Sequence, residues 1–123
     1  MFKVEMRRRF EARQGLTSPA WQASGRKPLT TFTVTMRVAF EFSDDQLDGD
    51  ERFIDTDTLE ALLDDYANQL SRTAWTETFD HRPTFEYVTC WLYQQLSQHI
   101  PQLSYVSLDN ETIGVTTAYS NPA

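Results

Sequence analysis

Between Thr31 and Phe42 the chain alternates without a break. Phe32, Val34, Met36, Val38, Phe40 and Phe42 fall on one parity, and Thr31, Thr33, Thr35, Arg37, Ala39 and Glu41 on the other. Successive side chains of a strand point to opposite faces, so the pattern predicts a long strand with one buried and one solvated side. The first segment repeats it, with Phe2, Val4, Met6 and Phe10 against Lys3, Glu5, Arg7, Arg9 and Glu11, and Arg8 as the odd member of the apolar side. Strands of this kind belong to an antiparallel sheet covered on one face only.

The polar stretch from Gln14 to Pro28, which holds Gly15, Pro19, Gly25 and Pro28, reads as a long loop, and function is expected to border it. After the acidic turn Ser43 to Glu51, apolar residues change to helical spacing at Leu59, Leu62, Leu63, Tyr66, Ala67 and Leu70, with Asp55 or Thr56 as the cap. Pro83, Thr84 and Glu86 open a second helix that buries Val88, Trp91, Leu92 and Leu96 and stops before Pro101. Two short strands follow, Leu103 to Leu108 and Ile113 to Tyr119, separated by Asp109 and Asn110. The expected class is α+β: one domain over residues 1–123, with a four-stranded antiparallel sheet and two helices on one face in the order β-β-α-α-β-β. A small sheet leaves its edges unpaired. Joining several subunits edge to edge into a closed barrel removes them, so a homo-oligomer is expected.

Charge and composition narrow the partners. The formal charge of -7 is divided unevenly, about +6 over residues 1–37 and -13 over the rest. Arg7, Arg8 and Arg9 have no interleaved stacking aromatics, and the chain as a whole is acidic, so no nucleic-acid partner is expected. No apolar run approaches the ~20 residues of a membrane span, and none follows the basic Met1 to Arg13 segment as a signal peptide requires. A cytoplasmic protein without a membrane partner is expected. Cys90 is the single cysteine and excludes an internal disulfide. With His81 and His99 it completes the soft donors, but Cys90 and His99 lie nine residues apart, about half a turn of rotation on one helix, and face opposite ways. Cys90 is read as a small core or semi-buried residue and His99 as a helix C-terminal residue near Pro101. Trp75 and Phe79 are read as pins of the inter-helix connection, whereas Trp21, in the long loop, is placed to cover a ring or a subunit contact.

Several segments together resemble one family, the 6-pyruvoyltetrahydropterin and 6-carboxytetrahydropterin synthases of the tunnelling fold. Phe10-Glu11-Ala12-Arg13-Gln14-Gly15-Leu16 is similar to the family's F-x-A-x-H-x-L segment. Phe53-Ile54-Asp55 with Leu59 resembles the start of its first helix, and Pro83-Thr84-Phe85-Glu86 the P-T-x-E opening of its second. Glu111-Thr112, with Tyr119 eight residues on, resembles its closing E-T and Tyr. The resemblance implies a trimeric twelve-stranded barrel, often doubled to a hexamer, with pterin-type sites at subunit boundaries. It also implies three zinc-binding histidines, which here fall on Gln14, Pro28 and Thr30. An active-site cysteine falls near Ser24, within Ser24-Gly25-Arg26, and an Asp-His acid/base pair on Ser71 and Arg72. None of these substitutes does the chemistry of the residue it replaces.

What the resemblance keeps is recognition. A carboxylate of the closing motif pairs with the guanidine-like edge of a pterin, since a carboxylate accepts two parallel N–H bonds. Glu111 is the candidate, with Thr112 beside it and Thr84 and Glu86 lining the same pocket from the neighbouring subunit; an ungapped match of Val106 to Asn110 puts Asn110 in the same place instead. Thr84 and Glu86 equally suit a helix start with no ligand present. The expectation is a relative of these synthases without zinc, cofactor or lyase activity, binding a pterin- or purine-like molecule. The alternatives are an active lyase with an atypical site and a non-catalytic oligomeric scaffold.

Overall fold

The computed structural model describes residues 1–15, 29–46 and 56–120. Strands β1 (Phe2–Gly15) and β2 (Leu29–Phe42) pair antiparallel in continuous register, from Phe2 opposite Phe42 to Gly15 opposite Leu29. Strands β3 (Leu103–Asn110) and β4 (Val115–Tyr119) complete an antiparallel sheet of order β1-β2-β3-β4. β3 pairs with β2 only from Val34 to Phe40, with a register irregularity at Ala39 and Phe40, so the far end of the β1-β2 ribbon extends beyond it.

Three helices lie over one face: α1 (Thr56–Arg72), the single turn α2 (Trp75–Thr78) and α3 (Phe85–Ser97). The apolar parity of the strands meets them. Phe10, Ala12, Val34, Met36, Val38, Phe40, Val106 and Leu108 pack on Leu59, Leu63, Ala67 and Leu70 of α1 and on Val88, Leu92 and Leu96 of α3. Residues three or four apart lie on one helix face, which is why these few positions suffice to seal each helix to the sheet. Leu62, Tyr66 and Trp91, expected in the core, are half-buried at its edge. Trp91 meets Tyr66 and Phe79 edge-on, with ring centroids 5.8 and 5.0 Å apart. Trp75 is fully buried and its indole N–H donates to the Leu70 carbonyl at 2.9 Å, so the connection that sequence left irregular is pinned by a helical turn. Arg8, the polar intruder on the apolar parity, reaches the flank of α1 and pairs with Asp64.

Two boundaries differ from expectation. Gln14 and Gly15 continue β1 rather than open a loop, because pairing with Thr30 and Leu29 carries the ladder to its end. Asp109 and Asn110 belong to β3, and the turn is Glu111 to Gly114 instead. Gly114 takes a left-handed φ of 73°, and its N–H donates to the Asn110 carbonyl at 2.8 Å. The cap expected at Asp55, the loop from Leu16 to Pro28 with Trp21, and Phe53 and Ile54 lie outside the described residues.

Candidate functional site

The end of β1, the start of α3 and the β3-β4 turn converge on a cleft of about 240 Å³ lined by Gln14, Thr84, Phe85, Glu86, Asn110, Ile113, Val115 and Thr117. Gln14 shares the helix-facing parity of Phe10 and Ala12, is 8% exposed, and donates its amide Nε2–H to the Pro83 carbonyl at 2.9 Å. Pro83 fixes the chain just before α3. Thr84 then caps the helix, its hydroxyl accepting from the Tyr87 N–H at 3.1 Å. Glu86 stands exposed in the first helical turn, where a carboxylate suits the positive end of the helix dipole.

Asn110 faces the same way as Leu108 and Val106 and is 1% exposed. Its Oδ1 accepts from the backbone N–H groups of Thr112 at 3.2 Å and Ile113 at 3.4 Å, which closes the turn. That bonding orients the amide and leaves Nδ2 as the one buried side-chain polar atom without a hydrogen-bond partner among the described residues. Orphaned buried donors are rare and call for an explanation.

Glu111 stands one residue on and therefore on the opposite, solvated face of the sheet. It forms an ion pair with Arg9 at 3.0 Å and accepts a hydrogen bond from the Thr35 hydroxyl. Within the protomer it is not brought together with Thr84 and Glu86. Thr112 lies in the turn, and its hydroxyl accepts from the Thr33 N–H at 3.0 Å. Thr30 sits directly opposite Gln14 across the β1-β2 ladder but is exposed. Ser71 and Arg72 end α1, where Arg13 Nη2 donates to the Arg72 carbonyl at 2.8 Å, a cation at the negative end of that helix. Ser24 and Pro28 lie outside the described residues.

The soft donors stay apart. His81 stacks on Tyr87 with ring centroids 4.6 Å apart, and His99 borders a separate groove of about 570 Å³ beside Leu62, Asp65 and Pro101. Cys90 lies against Tyr119, whose hydroxyl pKa it raises above the ordinary 10.0, first by charge and then by hydrogen bonding. Among the described residues no three His, Cys, Asp or Glu side chains are grouped to hold a metal ion. The groove at His99 is larger than the Gln14 cleft, but it lacks converging amides and an orphaned donor, so the smaller cleft has the stronger claim to a ligand. Sequence reasoning weighed Asn110 only as an alternative. The signal that favours it is strand parity, which depends on where β3 ends.

Comparison with solved structures finds a similar one. The Caenorhabditis elegans 6-pyruvoyl tetrahydropterin synthase superposes with a TM-score of 0.77 at 12% identity, over 98% of this chain and 95% of that one. The chain has the tunnelling fold. No family model and no curated protein matches the sequence. Among the described residues no helix is long and apolar enough to cross a membrane.

Proposed function

We propose that this chain is a homo-oligomeric relative of the 6-pyruvoyl and 6-carboxytetrahydropterin synthases that has given up zinc-dependent lyase chemistry and binds a neutral pterin- or purine-like ring in the cleft between Gln14, Thr84, Glu86 and Asn110. The observation that carries it is the buried Asn110 Nδ2, a donor without a hydrogen-bond partner among the described residues, on a residue that lines a cleft of about 240 Å³. The donor set does not suit a catalytic zinc. Gln14 is a neutral amide already engaged with Pro83, and Thr30, opposite it, offers only a hydroxyl. Ser71 carries only a hydroxyl and Arg72 a guanidinium with no acceptor, so no proton transfer of a lyase is assigned to them. Exposed Val4 on one sheet edge and Val115 on the other favour self-association. Localisation in the cytoplasm is proposed with the same reading.

The test is calorimetric titration of the metal-stripped protein with pterins and purines, alongside metal analysis of the protein as purified. Saturable binding that survives Glu111→Ala and is lost in Asn110→Ala, with circular dichroism unchanged in both, is the expected result. Stoichiometric zinc in the purified protein would reject the zinc-free reading. Absence of binding by the wild type would favour the scaffold, for which the Arg9–Glu111 ion pair would be a structural tie across the sheet.

A further inference from the structure

We infer that the cleft is selective for a hydrogen-bond acceptor at its Asn110 wall: a neutral lactam-type heterocycle, whose ring carbonyl takes the Asn110 Nδ2 bond, binds in preference to a ring that presents amino donors there. The inference rests on the ring-binding reading above and adds which edge of the ring is read. Asn110 has no choice of orientation. Flipping its amide would set an NH₂ group against the Thr112 and Ile113 N–H groups, which both need an acceptor. Nδ2 is therefore a donor only, and a buried donor facing another donor leaves both unpaired.

The remaining lining agrees. The first N–H groups of a helix have no intrahelical partner, and Phe85 and Glu86, the first residues of α3, line the cleft beside the positive end of the helix dipole. An anionic ligand would also satisfy donors, but the Glu86 carboxylate in the lining opposes a net negative charge, which favours a carbonyl over a carboxylate or phosphate. Ile113 and Val115 offer apolar surface to the ring face.

The experiment compares two pteridines of the same skeleton on the full chain at about pH 7. Lumazine carries carbonyls on both sides of a ring N–H; 2,4-diaminopteridine carries amino groups in the same two places. The wild type should bind lumazine at least tenfold more tightly. Asn110→Asp keeps an oxygen for the Thr112 and Ile113 N–H groups and replaces the donor by an acceptor, so it should reverse the order. Equal affinities, or tighter binding of the diamino ring by the wild type, would overturn the inference while leaving the ring-binding function standing. If neither ring binds, both fall. Should Asn110→Asp fail to fold, the wild-type ratio still decides, and xanthine against 2,6-diaminopurine repeats it on a purine skeleton.

Discussion

A buried amide must find partners, and Gln14 finds one in a carbonyl that would otherwise go without. Pro83 precedes α3, and the Gln14 side chain crosses from the end of β1 to bond it. Replacing Gln14 by Leu keeps the approximate volume but sets methyl groups against the Pro83 oxygen, and a buried unsatisfied acceptor costs about 1–3 kcal/mol. The expected result is a lower urea midpoint at unchanged slope, since the surface exposed on unfolding stays the same. An unaltered midpoint would mean that the carbonyl finds water and that the bond does not tie β1 to α3. At this scale the sequence was informative about residue type and silent about partners. That Gln14, Thr84 and Glu86 deserved notice followed from the motifs they resemble, whereas the amide-carbonyl bond joins residues sixty-nine apart and no local pattern foretells it. Asn110 and Glu111 are neighbours with opposite fates, one buried beside the cleft and one paired with Arg9 on the far face, because a shift of one residue in a strand exchanges faces.

Among the elements, the edge strand β1 depends on charge as well as on its apolar parity. Arg7 lies directly opposite Arg37, a repulsive pair, and the network around it offsets the cost. Arg37 lies 3.6 Å from Glu5 and 3.5 Å from Asp109, Arg7 lies 3.3 Å from Glu5, and the Tyr105 hydroxyl donates to Glu5 from β3. The Tyr105 hydrogen bond is the main cause holding Glu5 below its ordinary pKa of 4.5, with the two arginines adding and burial opposing; the same bond raises Tyr105 above 10.0. A lowered carboxylate stabilises the fold above its ordinary pKa, and the contribution disappears as pH falls through the lowered value. The tyrosine's contribution is present below pH 10 and disappears as pH rises through the raised value. Tyr105→Phe should therefore cost about 1 kcal/mol near neutrality, the modest size reflecting a partly solvated site. The gap between variant and wild type in urea unfolding should narrow on acidification to about pH 3; a gap independent of pH would show that Tyr105 acts by packing alone. The long strands and two long helices were legible because their apolar periods run for many residues. The boundary at Asn110 was not, since asparagine is a turn-former by type and here it serves the turn from the last strand position through its side chain. α2 was not legible either, being one turn held by the burial of Trp75.

At the scale of the molecule, the described residues form a sheet with helices over one face and two strands at its edges. β1 and β4 are those edges, and exposed apolar side chains mark both: Phe2 and Val4 on the first, Ile113 and Val115 beside or on the second. Unpaired strand edges with apolar flanks are a liability to a lone monomer and an opportunity for a ring of subunits, since joining β1 of one copy to β4 of the next satisfies both ladders. Sedimentation should accordingly show a species several times the 14.3 kDa of one chain. Val4→Lys places a charge on the β1 edge without touching the cleft, and it should shift the population toward monomer at micromolar concentration. Ile113, in the turn before β4, and Val115, the first residue of β4, both line the cleft, so assembly and ring binding are expected to be linked. A ligand that binds the assembled state better than the monomer must favour assembly by the same factor. Ring affinity measured on Val4→Lys should fall together with its sedimentation coefficient, and adding the ring should drive the wild type toward the larger species. A monomeric Val4→Lys that binds the ring as tightly as wild type would place the complete site within one protomer and detach recognition from assembly.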